Sequence, residues 1–156
     1  MKRALFAALL LIFAASLAAQ TGIFGISFGQ TFTDLDKMLK SKGFSEFKTD
    51  KEAKIYTNST IENFVEVQIY LDSVTNKVSS WFAYFYNDDS DKAYDSAMTV
   101  LSDIHGIYII WDDIDEVYVW ELDSYKAVYL YESTGGDWIA EYSDWDEYYD
   151  DDYWWY

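Results

Sequence analysis

Hydrophobic and polar positions along this chain change period several times, and each change marks the border of an element. Leu35, Met38 and Leu39 recur at helical spacing, Thr33 with Asp36 fits a capping box, and Gly43 follows a lysine-rich last turn. The spacing predicts a helix over 34–42. Residues 44–48 and 54–58 then read as short strands about a polar turn. In the next run Val65, Val67, Ile69 and Leu71 point one way and Glu66, Gln68 and Asp72 the other, a period of two. Asn76 and Lys77 supply a turn into a strand over 78–86, whose large residues on both faces predict a central position.

The second half of the chain repeats this grammar. Asp88, Ser90 and Asp91 offer N-caps to a helix that carries Tyr94, Ala97, Met98 and Leu101 on one face and stops at His105 and Gly106. Strands are expected over 107–111, 116–122, 126–132 and 138–142, with turns at 112–115, at Asp123 and Ser124, and at Thr134 to Gly136. Ile69 to Ser73 aligns with Val128 to Ser133, and Gly43 with Gly106. The reading is therefore α+β, with two tandem helix-plus-antiparallel-sheet repeats: a leader at 1–18, a first unit at 19–87, a second at 88–143 and a tail at 144–156.

This organisation resembles the tandem α+β architecture of the secreted β-lactamase inhibitor proteins and of small envelope-associated proteins. The segment Gly25-Ile26-Ser27-Phe28-Gly29-Gln30-Thr31, followed by a helix and Lys42-Gly43-Phe44, is similar to the opening of many exported bacterial proteins. These matched features are a turn, a cap and a glycine stop. The resemblance thus implies a fold and carries no functional residue across.

The leader changes the picture of where the chain acts. Lys2 and Arg3, the apolar run from Ala4 to Ala15, and the small residues Ser16, Ala18 and Ala19 have the order of a cleavable secretory signal. Cleavage is expected after Ala18 or Ala19, giving a periplasmic or secreted chain with no stable membrane insertion. Without cysteine there is neither a disulfide nor a lipid-attachment site, so the core alone must hold the fold.

Charge narrows the choice of partner. The chain carries −17 overall, and of its 11 bases Lys2 and Arg3 depart with the leader, leaving 28 acids against 9 bases, or −19. Such a chain repels nucleic acid. It is nevertheless 51% apolar and 21% aromatic, which opposes a disordered reading.

Candidate chemistry is sparse. His105 is the only histidine, so a Ser/His/Asp triad would depend on it, and its place in the last helical turn fits a cap of free carbonyls better. One histidine and no cysteine cannot assemble zinc. Asn87 to Asp91 resembles the start of a calcium loop, but Lys92 and Met98 stand where that loop needs glycine and glutamate. Asp112, Asp113, Asp115 and Glu116 could hold a carboxylate pair of glycosidase type, although a hairpin tip is ordinarily solvated. No catalytic residue, metal ligand or cofactor is assigned.

From Ala127 to Tyr156 there is no base, while nine acids and eleven aromatics occur. Aromatic anchors dominate interface energetics, so Trp145, Tyr148, Tyr149, Tyr153, Trp154, Trp155 and Tyr156 are the candidate partner-binding residues. The sequence reads as an exported non-enzymatic binding or envelope-accessory protein. A protein partner with a basic surface is expected, with a carbohydrate-binding or carbohydrate-active protein as the alternative. The tail is expected to be separable from folding.

Overall fold

The computed structural model describes residues 21–49, 53–108, 110–112 and 116–144. The leader and the aromatic tail residues Trp145, Tyr148, Tyr149, Tyr153, Trp154, Trp155 and Tyr156 lie outside the described residues. A 3-10 turn at Ile23–Gly25 precedes helix α1 (Phe32–Ser41) and strands β1 (Ser45–Thr49), β2 (Ala53–Thr57), β3 (Phe64–Leu71) and β4 (Val78–Phe85). Helix α2 (Ser90–His105) leads into β5 (Ile110–Asp112), β6 (Val117–Glu121), β7 (Lys126–Glu132) and β8 (Trp138–Asp144).

Every pairing is antiparallel, and the strands form one sheet in the order β1-β2-β3-β4-β8-β7-β6-β5. This overturns the expectation of two tandem helix-plus-sheet repeats. β4 has large residues on both faces and pairs on both edges, with β3 and with β8, so no border between two sheets exists. Helix α2 packs on β8, on β4 and on the 3-10 turn of the first half, and it does not close a unit of its own. One principal core takes Leu35 and Leu39 from α1, Ala93, Ala97 and Leu101 from α2, and sheet residues from both halves.

Register shows which face is core. Ile69, Trp81, Tyr142, Val128 and Trp120 stand in one row across five strands, and Val67, Ala83, Ala140 and Leu130 in the next. Both rows are buried beneath the helices. The helices therefore share one side of the sheet, and the alternate residues of the same strands look the other way.

Local chemistry shifted several borders. The α1 cap is Thr31, whose Oγ1 accepts the Asp34 N–H at 3.3 Å and donates to Asp34 Oδ2 at 2.7 Å, so the helix starts earlier than a Thr33 cap would allow. Asp36 is instead drawn sideways, accepting from Lys40 Nζ at 2.8 Å and from the Tyr56 hydroxyl of β2 at 2.8 Å. A register shift between Phe64 and Glu66 turns Phe64 inward and leaves Val65 44% exposed, against its expected place beside Val67. Met38, Tyr94 and Met98 are half-buried at the margin of the core, and the fully buried helix residues are Leu35, Leu39, Ala93, Ala97 and Leu101.

Candidate functional site

One polar cluster singled out by sequence, Asn87 to Asp91, is occupied with structural work. Asn87 Oδ1 accepts the Asp89 N–H at 2.9 Å, Asn87 Nδ2 donates to Asn63 Oδ1 at 2.6 Å, and the Tyr86 hydroxyl donates to Asp88 at 3.1 Å. Ser90 accepts from Trp138 Nε1 at 3.1 Å and donates to Glu132 at 2.9 Å, fixing the start of α2 to β8 and β7. These oxygens seat a helix. Among the described residues no group of three or more His, Asp or Glu could hold a metal ion, and Asp113 and Asp115 lie outside those residues.

His105 does not cap carbonyls. Its Nε2 lies 2.9 Å from the Tyr142 hydroxyl, which also accepts the Ile23 N–H at 2.9 Å. With that N–H taken, Tyr142 donates its own proton to Nε2, the one arrangement that leaves no buried O–H unpaired, and the ring proton sits on Nδ1. Burial pushes the imidazole down to about 4, so it is neutral near pH 7 and useless as a charged partner for the helix dipole. Tyr142 is fully buried, stacked on Trp81 at 4.4 Å and 14°, and burial raises its phenol far above the ordinary range. Gly22 lies against this stack: a Cβ there would fall 2.6 Å from Trp81 Cζ2 and closer still to Tyr142. The trio ties the 3-10 turn, the end of α2 and β8 together.

The other face of the sheet carries no helix among the described residues, and this helix-free face is different. Across strands β3, β4, β8, β7 and β6, Gln68, Phe82, Glu141, Tyr129 and Val119 stand opposite one another. The parallel row is Glu66, Tyr84, Ile139 and Tyr131, and Tyr70 flanks both. Over β3 and β4 the side chains of Glu66, Gln68, Tyr70, Phe82 and Tyr84 are half-buried. Tyr70 and Phe82 meet edge-on, with centroids 5.5 Å apart at 71°. Gln68 Nε2 donates to Glu66 at 2.6 Å, the Tyr70 hydroxyl donates to Gln68 at 3.3 Å, and the Tyr131 hydroxyl donates to Glu141 at 2.9 Å.

Electrostatics mark this surface as anionic. The Tyr84 phenol is pushed up to about 12, first by desolvation and then by the neighbouring Tyr70, Glu66, Glu141 and Asp137. A groove of about 640 Å³ opens at the end of β3 and β4, lined by Lys54, Tyr70, Asp72, Asn76 and Ser80 among others. Its carboxylate is engaged, since Asp72 accepts from the side chain and N–H of Thr75 at 2.7 Å each, which holds its acid below the usual range.

This face was hidden in the sequence because Phe82 and Tyr84 alternate with the equally aromatic or small core residues Trp81, Ala83 and Phe85. The available signal was the polar partner set, since Glu66, Gln68 and Glu141 share their cross-strand rows with Phe82 and Tyr84. Comparison with protein-family models, curated proteins and solved structures finds no match to the chain, so the functional reading rests on this surface. No helix among the described residues is long and apolar enough to cross a membrane.

Proposed function

We propose that this is an exported, non-enzymatic binding protein of the cell envelope or its surroundings, and that it holds a protein partner against the helix-free face of its sheet. The observation that carries this reading is the acidic aromatic patch formed by Glu66, Tyr70, Phe82, Tyr84 and Glu141 on neighbouring strands. Interface cores are enriched in such aromatic side chains, and flanking carboxylates select a basic partner and speed its approach. Edge-on packing of Tyr70 and Phe82 favours a protein over a sugar, because a stacking sugar needs rings presented flat to solvent.

The test is capture of partners from the native envelope by the tagged mature chain and by a Phe82→Thr, Tyr84→Thr double variant, whose threonines retain strand propensity. Recovery should fall severalfold in the variant at unchanged circular dichroism, and should fall in both at raised ionic strength. Equal recovery by variant and parent would overturn the assignment. Salt-insensitive retention on immobilised glycans would move it to the carbohydrate alternative.

A further inference from the structure

The Tyr142 hydroxyl is a junction with no spare capacity. It accepts one proton, from the Ile23 N–H at 2.9 Å, and gives its own to His105 Nε2 at 2.9 Å. The phenol ring cannot turn aside, because it stacks on Trp81 at 4.4 Å and Gly22 is pressed against both rings. The Ile23 N–H is equally fixed, since it lies in a 3-10 turn closed by bonds from Gly25 to the Gly22 carbonyl and from Ile26 to the Ile23 carbonyl. Of the three parties, His105 has a route to water. It stands on the last turn of α2 with part of its ring exposed.

A second proton on the imidazole would overload this junction. An imidazolium has an N–H on both nitrogens and accepts nothing. Nε2 would then point a proton at the phenol oxygen, the Ile23 N–H would point another, and the hydroxyl's own proton would have lost its acceptor. Leaving that donor unpaired away from water costs its full desolvation. The Ile23 N–H cannot withdraw without unwinding its turn. The imidazolium can withdraw by rotating into solvent, where both of its N–H groups find water and a following water accepts the Tyr142 proton.

The surroundings offer the cation no compensation. Tyr142 is the titratable group that β8 turns toward the ring, the 3-10 turn brings only Ile23, Phe24 and Gly25, and β4 brings Trp81. β6 contributes Trp120, which bonds the Gly106 carbonyl at 3.0 Å, with Tyr108 packed edge-on against its ring. On β7 the Lys126 ammonium lies over Phe28, which itself packs on Trp81, so it adds a like charge on the far side of two rings. Asp103 of α2 is exposed, and among the described residues no carboxylate pairs with His105. The proton inventory therefore decides the outcome.

We propose that the contact of His105 with Tyr142 is an acid-sensitive latch: protonation expels the imidazole from β8 and opens the last turn of α2, together with the bond from Trp120 to Gly106, while the 3-10 turn and the sheet stay in place. The latch is closed at neutral pH. Desolvation holds the docked imidazole near 4 against an ordinary 6.5, so the open form gains as pH falls through that window. It lies on the helix side of the sheet, away from the face assigned to a partner, and does not depend on that assignment.

Amide hydrogen exchange followed by NMR from pH 7 to 4, with each rate divided by its intrinsic value at that pH, tests the proposal. Protection of the Gly106 N–H, which bonds the Ser102 carbonyl, and of the Trp120 indole N–H should fall about tenfold or more as the His105 ring signals titrate. Amides of Trp81 and Ala83 in central β4 should keep their protection. In His105→Gln, whose amide oxygen still accepts from Tyr142 but cannot charge, protection at Gly106 should vary less than about twofold over the same range. If that variant does not fold, the parental profile decides alone, because it already separates a local opening from a global one. Unchanged protection at Gly106 once the ring has titrated overturns the proposal, as does an imidazole that stays neutral until the whole chain unfolds. An equal loss in β4, or the same pH dependence in a folded His105→Gln, overturns it as well.

Discussion

At the residue scale, His105 and Tyr142 show how one hydroxyl can join three segments. The folded imidazole titrates near 4 against an ordinary value of 6.5, so between those values the unfolded chain binds more protons. His105 therefore contributes stability that is complete above about pH 6.5 and is lost as pH falls toward 4. Because the ring is only half-buried, solvent screening trims the effect to about 1–2 kcal/mol. Denaturant midpoints of the parent and His105→Gln, compared from pH 7 to 4, should converge as pH falls. Parallel curves would show that the imidazole charges without cost. Tyr142→Phe removes the acceptor of the buried Ile23 N–H and should cost about 1–3 kcal/mol, read as a lower midpoint at neutral pH.

At the element scale, the two helices are attached by different devices. α1 begins where Thr31 meets Asp34, so Thr31→Ala should lower stability by about 1 kcal/mol, while Thr33→Ala should change it by only a few tenths. The pair of unfolding curves separates the observed cap from the one the sequence offered. α2 is held by packing: Asp89 at its N-cap makes no side-chain capping bond, and Leu101 is completely buried. Leu101→Ala should cost about 2–5 kcal/mol in the same assay. Its C-terminus is closed from outside, with Gly106 donating its N–H to Ser102 and accepting from Trp120 Nε1 at 3.0 Å. Gly106 has φ 80°, the left-handed side where glycine is favoured, which fits its use as the stop.

At the scale of the whole molecule, one sheet and one principal core make unfolding a single event. Calorimetry of the chain should give one transition whose calorimetric and van't Hoff enthalpies agree. Two resolved transitions would mean that the β4–β8 pairing does not couple the halves. Net charge acts on the same scale, since −17 spread over a small fold repels itself, and moderate salt should raise the midpoint.

The sequence by itself determined the elements that depend on neighbours within a few residues. Helical spacing at Leu35 and Leu39, alternation through Val67 and Ile69, and the stops at Gly43 and Gly106 are local patterns, and the corresponding helices and strands form. Only the tertiary structure decided matters that depend on which strand meets which. The shift that exposes Val65 belongs to the pairing of β3 with β4, and the use of His105 belongs to Tyr142, 37 residues away. The merging of two expected sheets into one followed from β4, which has large side chains on both faces and pairs with β8 as well as β3. The acidic aromatic patch has the same origin, because Glu66, Tyr84 and Ile139 become neighbours only when three strands align. Periodicity reports which residues share a face of one element, whereas a site is made of faces from several, and their register is fixed by long-range packing that no local window contains.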